Sequence, residues 1–76
     1  MIDDSLFLSM ITIYLNGVEH ALSTPTSVAQ LLTQLSMEEA RLAVEINETI
    51  VPRSQYELVQ VSANDQVEII QAVGGG

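Results

Sequence analysis

Cysteine is absent from the 76 residues, which excludes disulfides, thiolate zinc sites and a cysteine nucleophile. One histidine, His20, is too few for a multi-histidine metal centre. Only two bases, Arg41 and Arg53, stand against ten acids, and the formal net charge is -8. Nucleic-acid binding needs cationic charge to displace phosphate counterions, so this chain would repel a polyanion. An anionic membrane surface is disfavoured for the same reason. No apolar run approaches the roughly 20 residues that span a bilayer. Glycine is scarce before the end of the sequence: Gly17 stands alone, and the other three are Gly74, Gly75 and Gly76. A phosphate-cradling loop therefore has no glycines to be built from.

Apolar residues are plentiful. They make up 47% of the chain, and the mean hydropathy of +0.31 is too high for a disordered segment. A chain this short forms one domain, with a small core that most apolar residues must join. It is too short for a deep cleft between two layers. The acidic balance has two readings of equal weight. One is a basic protein partner, with attraction acting mainly on the encounter rate. The other is a solvated surface that keeps a small protein soluble.

Residues 1–9 carry neither the basic start nor the small-residue cleavage site of a secretory signal, and are read as a mobile extension ahead of the domain. From Met10 the pattern is regular. Ile11, Ile13 and Leu15 alternate with Thr12, Tyr14 and Asn16, the period of a half-buried strand. Asn16-Gly17 predicts a type I′ hairpin turn, and Val18, His20 and Leu22 continue as the second strand. Ser23 to Thr26 break the pattern. Ser27 and Gln30 form a capping box ahead of the stripe Val28, Leu31, Leu32, Leu35, which predicts a helix of about 8 to 10 residues. Leu42, Val44 and Ile46 predict a third strand, and Ile50-Val51 a short edge strand ended by Pro52. Residues 53–60 read as a turn with a helical fragment, Asn64-Asp65 as a turn, and Val67 and Ile69 as the inner face of the last strand. Strands on both sides of one helix predict a mixed sheet of four or five strands with one face covered, the first and last strands lying inside it. The domain runs over 10–73 and a flexible glycine tail over 74–76.

The search for catalysis finds little. His20 stands in a strand beside a tight turn with no evident orienting carboxylate, and reads as a strand-surface residue. Glu38 and Glu39 are adjacent and diverge in direction, as solvated surface charges do. The chain is read as catalysing nothing by itself. Its reactive feature is the end of the sequence. Three extended glycines reach about 10 Å and, having no Cβ, pass through a channel too narrow for any side chain. A carboxylate on Gly76 could enter a partner's buried site while the globule stays outside.

The strand-Asn-Gly-strand opening, the Ser-Val-x-x-Leu-Leu helix start, Val44-Glu45-Ile46-Asn47 with Val51-Pro52-Arg53, and the final Val73-Gly74-Gly75-Gly76 resemble the ThiS family of ubiquitin-like sulfur carriers in thiamine biosynthesis. The resemblance covers residues 10–76 and leaves out 1–9. It implies a β-grasp fold and a carrier role in the cytoplasm, as a monomer when free. It implies no bound cofactor: a ThiF-type adenylyltransferase would use MgATP to activate the Gly76 carboxylate. A sulfur-relay enzyme would supply the sulfur that makes a thiocarboxylate, and a thiazole synthase of the ThiG type would consume it. The molybdopterin-synthase small subunit shares the Gly-Gly end, and a ubiquitin-like modifier or plain interaction module is the alternative from another class.

Strand alternation adds a docking expectation. With Ile11, Ile13, Val67 and Ile69 facing the helix, Tyr14, Ile70 and Ala72 point the other way. In a sheet whose first and last strands are parallel neighbours, Tyr14 is expected beside Ile70 and Ala72, with Ala43 joining from the third strand. Val73 leads from this patch into the tail.

Overall fold

The structure is a computed structural model, and it describes residues 10–37 and 41–71. The predicted extension 1–9, the Glu38-Glu39 pair, Ala72, Val73 and the tail Gly74 to Gly76 lie outside the described residues.

Five strands and one α-helix are present there: β1 (Ile11–Leu15), β2 (Val18–Leu22), α1 (Val28–Gln34), β3 (Leu42–Ile46), β4 (Thr49–Val51) and β5 (Gln66–Gln71), with a 3-10 turn over Arg53–Gln55 after Pro52. They form one sheet in the order β2-β1-β5-β3-β4. The hairpins β1–β2 and β3–β4 are antiparallel, β3 is antiparallel to β5, and β1 is parallel to β5. The last strand is thus the middle of the sheet, with one hairpin on each side.

The alternation read from the sequence sets the two faces. Ile13, Val44, Val67 and Ile69 project from one face into a core with Val28, Leu31 and Leu32 of α1; Leu22, Val51 and Val61 complete it. Burying a side chain of this size contributes about 1.5–3 kcal/mol, so the three helix residues hold α1 to the sheet. A helix this short would not persist in water without that packing.

α1 has seven residues, fewer than the 8 to 10 expected. Both of its ends are closed by specific bonds. At the start, the Ser27 side chain accepts from the Gln30 N–H, and the Gln30 side chain accepts from the Ser27 N–H. The next free donors are taken by the loop before β5: Val28 N–H donates to Val59 O and Ala29 N–H to Tyr56 O. At the end, Ser36 adopts φ +58, its N–H reaches Thr33 O, and the Met37 N–H reaches Leu32 O. That is a Schellman closure with serine where glycine is usual. It turns the chain before Leu35 can continue the helix, and Leu35 packs at the margin of the core.

Candidate functional site

β5 is the strand from which the glycine segment follows in sequence, so the candidate site is built around it. Each neighbouring hairpin ends in an asparagine that grips this strand. In the β1–β2 turn, Asn16 has φ +50 and Gly17 φ +84, the two positive values of a type I′ turn. Asn16 N–H donates to Val67 O at 2.8 Å. At this point the backbone turns away from β5. The side chain takes over: Asn16 Oδ1 accepts from Ile69 N–H at 2.8 Å, and Nδ2 donates to Ile69 O at 3.3 Å.

The β3–β4 turn repeats the device with Asn47 at φ +51 and Glu48 at φ +69. Asn47 N–H donates to Gln66 O at 2.8 Å, and its Oδ1 accepts from Gln66 N–H at 2.9 Å. Its Nδ2 donates to Asp65 Oδ1 at 3.0 Å, while Asp65 Oδ2 accepts from Ser62 N–H at 2.8 Å. Asn47 therefore fixes the start of β5 and Asn16 its further half. These roles were missed in the sequence, where Asn16 reads as a turn former and Asn47 as part of the family pattern.

The outer face carries the predicted docking residues, with one correction. Ala43 and Ile70 are partners across β3 and β5, and both are exposed, Ile70 by 50%. Tyr14 is not beside them. The parallel register pairs Tyr14 with Gln66, four residues before Ile70, a separation of roughly 13 Å along the strand. β1 pairs with β5 only at Tyr14 and Leu15, so β5 from Glu68 to Gln71, Ile70 included, runs beyond the paired end of β1. Next to the Ala43–Ile70 pair on this face, Glu45 stands directly opposite Glu68. Like charges in that position destabilise a sheet.

His20 lies half-buried opposite Ile13, on the core side of edge strand β2 rather than on a solvated surface. Among the described residues no cluster of three or more acids and histidines could hold a metal ion, and no helix is long and apolar enough to cross a membrane.

A five-stranded mixed sheet with two hairpins flanking the last strand and one helix across one face is the β-grasp architecture. It superimposes on the crystal structure of the thiamine biosynthesis protein ThiS from Geobacter metallireducens with a TM-score of 0.74 and 26% identity, covering 87% of this chain and all of that one. The profile of the ThiS family matches residues 9–76, and the chain belongs to that family. The sulfur carrier protein ThiS of Escherichia coli is 40% identical over 50 residues, 66% of this chain and 76% of that protein. A thiazole synthase of Paramagnetospirillum magneticum is 40% identical over 62 residues, which is 82% of this chain but 19% of that protein.

Proposed function

We propose that this chain is a sulfur carrier for thiazole formation in thiamine biosynthesis. The observation that carries this reading is the family match, which runs through residue 76 and so includes the glycine segment. The likeness of one section of a thiazole synthase to this chain supports thiazole synthase as the consumer.

The chemistry suits a side-chain-free end. A carboxylate is a poor electrophile. In the proposed cycle, Gly76 carboxylate attacks the α-phosphate of MgATP on a ThiF-type adenylyltransferase, and pyrophosphate leaves. The acyl-adenylate carbon is then open to a persulfide of the sulfur relay, AMP departs with the C–O bonding pair, and a thiol of the relay cleaves the acyl disulfide so formed, taking the relay's own sulfur into a disulfide. The resulting thiocarboxylate passes to thiazole synthase. Gly74 and Gly75 supply reach without bulk, and the partner enzymes supply charge stabilisation.

The adenylyltransferase is proposed to dock on the outer face around Ala43 and Ile70, with Ala72 and Val73 continuing toward the tail; Tyr14 belongs to the far end of that surface. The Glu45–Glu68 rung supports a cationic rim on the partner, which would relieve the repulsion between them. Association should therefore slow as salt rises.

Intact mass after incubation with ATP, a sulfur donor and the cognate adenylyltransferase tests the first claim. The expected product carries one sulfur in place of one oxygen at Gly76. An unchanged mass, or conjugates to lysines of other proteins, would replace the carrier reading. Ile70→Glu tests the docking face: its folded form should raise KM for the carrier by about tenfold or more. Parental modification at limiting enzyme would remove Ile70 from the interface.

A further inference from the structure

Asn16 does more than make a turn. A parallel pair continues when a residue of one strand offers its carbonyl to an N–H of the next. Asn16 donates its own N–H to Val67 O as a β1 residue should. Its backbone then enters the left-handed conformation, and the Ile69 N–H is met by the side-chain amide instead. The amide presents one acceptor and one donor to both polar groups of Ile69, as one more residue of β1 would. On that side of β5, Asn16 makes the pairing one residue longer than the backbone does. On the other side, β3 pairs with β5 from Val67 to Gln71.

We infer that Asn16 is a positioning residue for the carrier reaction, holding in register, on its β1 side, the further half of β5, the strand that leads in sequence to the glycine segment. The inference rests on the carrier reading above. It predicts an effect on turnover that loss of stability does not reproduce. Asn47 grips the start of β5 and would not share this role, because its bonds reach Asp65 and Gln66 only.

Three variants separate the possibilities. Asn16→Gly keeps a type I′ turn, since glycine accepts positive φ at either central position, and removes the amide. Asn16→Asp keeps an oxygen acceptor for the Ile69 N–H and tolerates the same backbone. Gly17→Ala strains the same turn, where an added Cβ meets nothing within 4 Å, and leaves the amide in place.

Thiocarboxylation is followed by intact mass, at a temperature where circular dichroism shows every variant folded. Amide exchange at Ile69 is read in parallel. Asn16→Gly should lower kcat by roughly three- to tenfold with KM for the carrier nearly unchanged, and speed exchange at Ile69 by a similar factor. Asn16→Asp should restore part of both, since its carboxylate accepts from the Ile69 N–H but has no donor for Ile69 O. Gly17→Ala should keep the parental kcat. The inference is overturned if Asn16→Gly turns over at the parental rate, or if Gly17→Ala falls with it. Absence of modification in the parental protein instead removes the carrier reading, and with it the reaction Asn16 is said to serve; Ile69 exchange would then report only a structural bond.

Discussion

The two hairpins flanking β5 use the same first turn residue and attach to the central strand differently. The β3–β4 hairpin lies along β5 over five residue pairs, so its asparagine adds a clasp to an interface already made. The β1–β2 hairpin meets β5 at two pairs, and its asparagine adds a further bonded position. The same side chain is therefore auxiliary at one turn and a substantial part of the attachment at the other. The contrast shows how far a short parallel pairing depends on what lies beyond its last backbone bond.

The largest expected effect comes from removing the core residue at the centre of each hairpin. Ile13 and Val44 are both fully buried. Ile13→Ala should cost about 2–5 kcal/mol by urea denaturation, and Val44→Ala less, because fewer methyl groups leave a smaller cavity. The comparison predicts where the loss appears. With little backbone pairing to β5, the β1–β2 hairpin should lose exchange protection first in Ile13→Ala, whereas β3–β4 and β5 remain protected. Uniform loss across the sheet would mean that the two hairpins are equally attached.

A smaller effect isolates the clasp. Asn47→Gly preserves the turn conformation and removes the bonds to Gln66 and Asp65. It should cost about 1 kcal/mol, since the freed groups are exposed and water replaces part of what is lost. Exchange should rise at Gln66 and stay parental at Ile69, which Asn47 does not touch. A matching rise at Ile69 would show that the two asparagines act on β5 as one unit.

Much of this architecture was legible because its signals are local. Period-two alternation placed β1, β2, β3 and β5, and the Ser27–Gln30 box placed the start of α1. Alternation also told which residues face the helix: Ile13, Val67 and Ile69 are buried, and Ile70 is not. It could not tell how far β1 slides along β5. That offset depends on where the loop before β5 releases the chain, through Tyr14 N–H to Asp65 O and Asn64 N–H to Thr12 O. Both contacts are remote in sequence, and alternation alone therefore sets Tyr14 too near Ile70. The asparagine side-chain bonds are hidden for the same reason, since a turn propensity says nothing about a strand 53 residues away, as for Asn16, or 19, as for Asn47. The second hairpin turn carries no such local signal because its other central residue is Glu48, which lacks the glycine signature.

Glu48 supplies the smallest and cleanest test. At the corresponding position of the first turn stands Gly17, at φ +84; Glu48 holds φ +69, where a side chain crowds the following carbonyl. Glu48→Gly should stabilise the protein by up to about 1 kcal/mol, the relief of that strain less the added freedom of glycine in the unfolded chain. The substitution also removes one acid from a chain of net charge -8, which could stabilise it by a different route. Glu48→Gln separates the two, because it removes the charge and keeps the strained backbone. Glu48→Asn removes the charge and tolerates the left-handed conformation. Backbone strain predicts gains in the order glycine, asparagine, glutamine, with glutamine near zero in urea denaturation. Charge relief predicts equal gains for all three, falling together as salt is raised. The second pattern would make the two turns conformationally equivalent and leave Asn16 and Asn47, through the length of β5 each one holds, as the whole of the difference between the hairpins.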